Sequence, residues 1–273
     1  MVKSAMVNFN IEKYYYLSFT PYNTSVRRKR ARGFTPAIAS LLDRYYNKKF
    51  NLGAFLEIGI SGGGAHSTYT QCLLDPIKIF GVELSDPNSV SSDNAKAYDK
   101  TIQGYSEAIN VMKDHPGKVF FEWGMDGYSS GTAAHFFAKN NNEKFGIIIN
   151  DGYTRGISDL NHWKPYLDNP GYIIDECPFG TGEAVWDVYQ DPDRLKEALR
   201  KSSELNNTVI FDFNEFMTDY PAASGRPEIE FPIGYLGVYC KNWKNVLDST
   251  TAKFLSKFIV EGEQYFNLET RNG

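Results

Sequence analysis

Apolar residues in this chain fall into short continuous runs separated by longer stretches of helical spacing. Ala54–Ile58 is the first run, and glycines end it. Lys78–Val82 follows and ends at Glu83; Val119–Glu122, Phe145–Asn150 and Gly171–Asp175 complete a series of five. Unbroken runs of this length suit strands buried on both faces of a sheet. Between them the pattern predicts helices at about 65–74, 97–113 and 130–139, and a helical segment near 157–167. Strands alternating with helices mean a parallel sheet with right-handed crossovers.

The two ends of the chain read differently. Residues 1–33 form an irregular lead-in, and Ile38, Leu41, Leu42 and Tyr45 predict a helix over 35–48 behind Pro36. After a helix near 191–205, Thr208–Phe213 and Tyr235–Cys240 are apolar runs joined by a loop with Pro221, Pro227 and Pro232. With no obvious helix between them, they are expected to pair antiparallel. A last helix is predicted over 249–260. The organisation expected is a lead-in and helix over 1–50 and one α/β domain over 51–273.

An acid or a glycine turn ends each of the five runs. In an open parallel sheet, ligands bind beyond the carboxyl ends of the strands, so Gly59–Gly64, Glu83, Asp126, Asn150-Asp151 and Asp175-Glu176 share that region. Gly59, Gly62, Gly63 and Gly64 allow a sharp turn and a close approach of backbone amides to a ligand. Ser67 opens the helix behind them. Ser61 occupies a position where the dinucleotide fingerprint requires glycine. Glu57, just before the loop, suits a ligand with a cationic amino group, and Glu83 at the next strand end can accept from both hydroxyls of a ribose. An ammonium, a sulfonium and a ribose occur together in S-adenosylmethionine.

These segments carry a resemblance. Phe55-Leu-Glu-Ile-Gly-Ile-Ser-Gly-Gly-Gly64, Phe80-Gly-Val-Glu-Leu84 and Ile147-Ile-Ile-Asn-Asp-Gly152 resemble the class I S-adenosylmethionine-dependent methyltransferases. The nearest flavour is the macrolide-sugar O-methyltransferase group, the macrocin and mycinamicin enzymes, together with proteins called cephalosporin hydroxylases. The resemblance covers roughly 52–180. It implies a Rossmann-like, mostly parallel seven-stranded sheet with an antiparallel last strand. It also implies that Glu57, Gly59, Ser61, Gly63 and Ser67 hold the methionine part and Glu83 the ribose. Trp123-Gly-Met-Asp126 is similar to the segment on the adenine side. Asp126 would accept from the adenine amino group; Trp123 would pack on the base, or simply in the core.

Asp151, Asp175 and Glu176 follow neighbouring strands, and converging carboxylates repel unless a cation lies among them. Oxygen ligands of this kind suit Mg²⁺. In catechol and macrolide-sugar O-methyltransferases, which this cluster resembles, such a metal lowers the pKa of a substrate hydroxyl. The bland alternative is that the acids cap their turns. The family often continues Asp-Gly-Ser-His, whose histidine serves as base; here the segment is Asp151-Gly-Tyr-Thr154. Of the four histidines, His162 is the candidate base beside Asp151.

Composition narrows the partners. A net charge of −4 makes the chain no general magnet for nucleic acid. The basic run Arg27–Arg32 leaves open a second reading, an RNA-directed methyltransferase, and a third, a non-catalytic binding module of the same fold. Tyr14–Tyr16, Phe19, Tyr22 and Tyr153 belong to an aromatic surplus that forms core, a lid over the acceptor, or the interface of a homo-oligomer. Three distant cysteines without a CxxC pair argue for a reducing compartment. No apolar run approaches the roughly 20 residues that cross a bilayer. The expectation is a cytoplasmic enzyme acting on a small polyhydroxylated acceptor.

Overall fold

A computed structural model describes residues 53–60, 78–88, 105–106, 108–150, 157–175, 193–194, 196–197, 207–212, 235–243 and 255–265. The chain divides into two compact units. One comprises Leu52–Tyr153 and Asp159–Ile173; the other comprises Met1–Asn51, Thr154–Ser158 and Ile174–Gly273. The predicted helices at 35–48 and 65–74, and the whole 1–50 lead-in, lie outside the described residues.

The first unit is a Rossmann-like α/β assembly. Its strands are β1 (Ala54–Ile58), β2 (Lys78–Glu83), β3 (Val119–Trp123), β4 (Phe145–Asn150) and β5 (Leu167–Asp175), whose last two residues belong to the second unit. They lie in the order β3-β2-β1-β4-β5. β1 pairs parallel with both β2 and β4, and β2 pairs parallel with β3. The order therefore reverses between β1 and β4, which makes their carboxyl ends a switch point, the place where a crevice for ligands opens.

Every residue of β1 and β4 is buried, which explains why both are apolar apart from Glu57 and Asn150. Phe80 on β2 stacks on Phe120 at 5.3 Å and meets Phe136 and Phe145 edge-on at 6.1 and 5.8 Å. Phe145 in turn meets Trp163 edge-on at 6.2 Å. Fully burying each such ring contributes roughly 1.5–3 kcal/mol, so this cluster is the centre of the unit.

Helix α1 spans Ser130–Lys139, as predicted. It starts there because the Ser129 side chain accepts from the Gly131 amide, and it stops where Asn141 and Asn142 turn to positive φ. Residues 108–114, within the predicted 97–113 helix, are also helical. The segment Ile157–Tyr166 is a 3₁₀ helix. Its sequence accounts for that: Ile157, Leu160 and Trp163 recur every third residue and all are buried, and three residues per turn place them on one face.

The second unit holds β6 (Thr208–Asp212), β7 (Tyr235–Cys240) and β8 (Ile259–Glu261), in the order β7-β6-β8. β6 and β7 are antiparallel, as expected of two runs with no obvious helix between them. The helix predicted over 249–260 is corrected at its end; Leu255 is helical, and 249–254 lie outside the described residues. Ser256–Phe258 is a single 3₁₀ turn and Ile259–Glu261 is a strand antiparallel to β6. The β-branched pair Ile259-Val260 favours extended backbone, and pairing with Ile210 and Phe211 decides the outcome. Eight strands are thus described where seven were expected. No described helix is long and apolar enough to cross a membrane.

Candidate functional site

The register sets three strand ends side by side. Ile58 lies opposite Val82, so Gly59 follows beside Glu83, and Glu83 lies opposite Trp123. Gly59 has φ 87°, a left-handed conformation that glycine adopts without strain, and its N–H donates to the Val82 carbonyl at 2.8 Å. This bond extends the ladder beyond β1 and aims the chain into the glycine loop. Glu57, two residues earlier, is wholly buried within β1, between Gly81 of β2 and Ile149 of β4 in register.

Glu83 is partly exposed at the end of β2, where its Oε1 accepts from the Ser85 amide at 3.1 Å. That bond holds the carboxylate at the strand end and leaves Oε2 for a further donor. Leu84 beside it is 68 % exposed, one of two large hydrophobic residues so placed among the described residues. Sequence reasoning passed over Leu84, because an apolar residue after a strand reads as the strand's own tail.

The turn after β3 is the most constrained part of the site. Asp126 is exposed, and its Oδ1 accepts from the Tyr128 amide at 2.9 Å, closing an Asx turn. Gly127 at its centre is buried. A Cβ there would lie 2.5 Å from Ile58 Cγ2 and 3.3 Å from Val82 Cγ1. The turn therefore leaves β3 and passes over the ends of β2 and β1. Tyr128 carries it further: its hydroxyl donates to Asn150 Oδ1, at the end of β4, at 2.8 Å. Asn150 is fully buried and lies opposite Ile58, at the switch point.

The 3₁₀ segment holds the same turn from outside. Trp163 Nε1 donates to the Gly127 carbonyl at 2.9 Å, and His162 Nε2 stands 3.4 Å from the same oxygen. A carbonyl can only accept, so this contact is a hydrogen bond only in the tautomer that carries its proton on Nε2. Sequence reasoning proposed Asp126 and His162 for separate roles; the structure brings both to one turn. Tyr128 and Gly127 were missed, and Asn150 was placed at its strand end without its partner, because nothing local in the sequence marks a contact between residues 22 positions apart.

Trp123 ends β3 half-buried and meets Tyr105 edge-on at 4.8 Å. Asp175 ends β5 fully buried, in the second unit. Ser61, Gly63, Ser67, Asp151 and Glu176 lie outside the described residues. Among the described residues no three His, Cys, Asp or Glu side chains group as a metal site would need. Of the three expected metal ligands only Asp175 is described, so the described donor set does not by itself amount to a Mg²⁺ site.

No protein-family model and no curated relative matches the chain. Among solved structures it is similar to a Lactococcus lactis protein assigned as a hemolysin, at 11 % identity and TM-score 0.45, over 88 % of this chain and 96 % of that one. It is also similar to a Staphylococcus aureus protein assigned as a caffeoyl-CoA O-methyltransferase, at 13 % identity and TM-score 0.42, over 88 % and 92 %. A third is the MycE methyltransferase of the mycinamycin biosynthetic pathway, solved with Mg, S-adenosylhomocysteine (SAH) and mycinamycin VI. There the identity is 14 % and the TM-score 0.38; the match covers 82 % of this chain and about half (49 %) of that one. The α/β assignment itself rests on the strand order and register given above.

Proposed function

We propose that this chain is an S-adenosylmethionine-dependent methyltransferase whose cofactor lies across the carboxyl ends of β1, β2 and β3. One observation carries the reading: Gly59, Glu83 and Trp123 stand in a single row across three parallel strands. A glycine loop, a ribose-binding carboxylate and an aromatic residue are thereby ordered as the methionine, ribose and adenine parts of the cofactor are. The residues fit the ligand. Glu83 keeps one carboxylate oxygen for ribose hydroxyls, and the exposed side chain of Leu84 offers apolar surface to a planar base.

The chemistry asked of the protein is alignment. An acceptor oxygen attacks the methyl carbon in line with the sulfonium. The new C–O bond forms as the C–S bond breaks, its electron pair goes to sulfur, and the hydroxyl proton leaves to a base. Holding the reactants in this geometry supplies much of the rate. A small polyhydroxylated acceptor is the finer part of the proposal. It is supported by the sequence, in which Asp151 follows the fourth strand, Asp175 ends the fifth and Glu176 comes next. A divalent cation held by such acids would supply Lewis acidity to an acceptor hydroxyl. His162 and Asp151 are the groups proposed to take the proton.

Calorimetric titration with SAH tests the central reading. The wild-type protein is expected to bind, and Glu83→Gln, which removes the charge from the ribose acceptor, to bind about tenfold more weakly or less. Absence of heat with both S-adenosylmethionine and SAH would overturn it. If turnover survives both chelation and Asp175→Asn, the metal part alone falls.

A further inference from the structure

The turn Asp126–Tyr128 is held more tightly than the bend of an ordinary connection, and its ties lead to elements far apart in sequence. Gly127 sits against Ile58 and Val82 with no room for a side chain. Its carbonyl receives the Trp163 indole N–H, and Trp163 is fully buried. The Tyr128 hydroxyl reaches Asn150 at the switch point. Between these ties stands Asp126, exposed, with Oδ1 fixed by the Tyr128 amide. The carboxylate therefore has one oxygen committed to the turn and the other directed by it.

We infer that Trp163 and Tyr128 are positioning residues that fix the Asp126 carboxylate as the reader of an amino group on the base of the cofactor. This rests on the proposed S-adenosylmethionine site. A carboxylate accepts from the 6-amino group of adenine and repels the 6-oxo group of hypoxanthine. Such discrimination needs the acceptor held still, because a mobile carboxylate turns toward water when the wrong base arrives. An interaction that rejects an analogue lacking the right donor is worth most where the protein group is fixed and cannot rearrange. The ties from the 3₁₀ segment and from β4 supply that fixity from two directions. Neither Trp163 nor Tyr128 needs to touch the ligand.

The test compares SAH with S-inosylhomocysteine, whose base has a 6-oxo group and an N1–H where adenine has a 6-amino group and a bare N1, by calorimetry. Wild-type protein is expected to prefer SAH by tenfold or more. Tyr128→Phe removes one hydroxyl and keeps the ring; Trp163→Phe removes the indole donor. Each is expected to lower the SAH preference several-fold while the analogue binds nearly as before, and thermal melts establish that each variant is folded. A variant that weakens both ligands equally, or leaves the preference unchanged, would overturn the inference. Should Trp163→Phe not fold, Tyr128→Phe alone decides it. If wild-type protein binds neither ligand, the proposed site falls instead, so the two failures are distinct.

Discussion

The Gly59 amide donates to the Val82 carbonyl at 2.8 Å, while Gly59 itself is at φ 87°. The bond fixes where β1 ends, and the positive φ fixes which way the chain leaves. Any L-residue here meets its own carbonyl. Gly59→Ala is expected to lower stability by roughly 1–2 kcal/mol and to weaken SAH binding beyond that of an equally destabilised core variant. Urea melts and calorimetry on the same preparation check both.

Gly127 is required by space rather than by φ. An added Cβ would press on Ile58 Cγ2 and Val82 Cγ1, both on buried, β-branched side chains with little rotamer freedom. Gly127→Ala is expected to cost about 1–3 kcal/mol by overpacking. Gly117→Ala is the control. It has nothing within 4 Å of the new methyl, so its cost comes from its φ of 76° alone.

Glu122 on β3 binds two residues of α1. Its Oε2 pairs with His135 Nε2 at 2.8 Å, and its Oε1 pairs with Lys139 Nζ. Burial pushes the Glu122 carboxyl up, but hydrogen bonds and charge from Lys139 and His135 together outweigh it and hold the pKa below the usual carboxylate range. A depressed folded pKa contributes stability above the unfolded pKa, and that contribution disappears as pH falls through the folded value. Glu122→Gln is therefore expected to lower the melting temperature near neutral pH, and the gap from wild type to close in acid. A gap that is constant with pH would contradict this.

Much of the fold was legible because burial writes itself into composition. β1 and β4 are buried at every position, so apart from Glu57 and Asn150 their sequences are apolar and their bounds follow directly. The bounds of α1 were legible from Ser129 and the asparagines behind Lys139. The end of the chain was not. Leu255, Phe258 and Ile259 carry helical spacing, but β6 offers an open edge, and pairing with it overrides local preference. In the candidate site, the places of Gly59, Glu83 and Trp123 at neighbouring strand ends were legible because each closes an apolar run. The link between Tyr128 and Asn150 and that between Trp163 and Gly127 were not. They depend on how far one turn reaches across its neighbours, which is a property of the register and of the missing side chain at Gly127.

The Trp163 indole has Gly127 at its N–H and the Phe145 ring nearly perpendicular to it, and Phe145 leads on through Phe80 to Phe136 and His135. A donor wedged between core rings gives up its rotamer freedom when the protein folds. None of that entropy remains to be lost on binding, so in the proposed site the turn that Trp163 holds would meet a base with its shape already set.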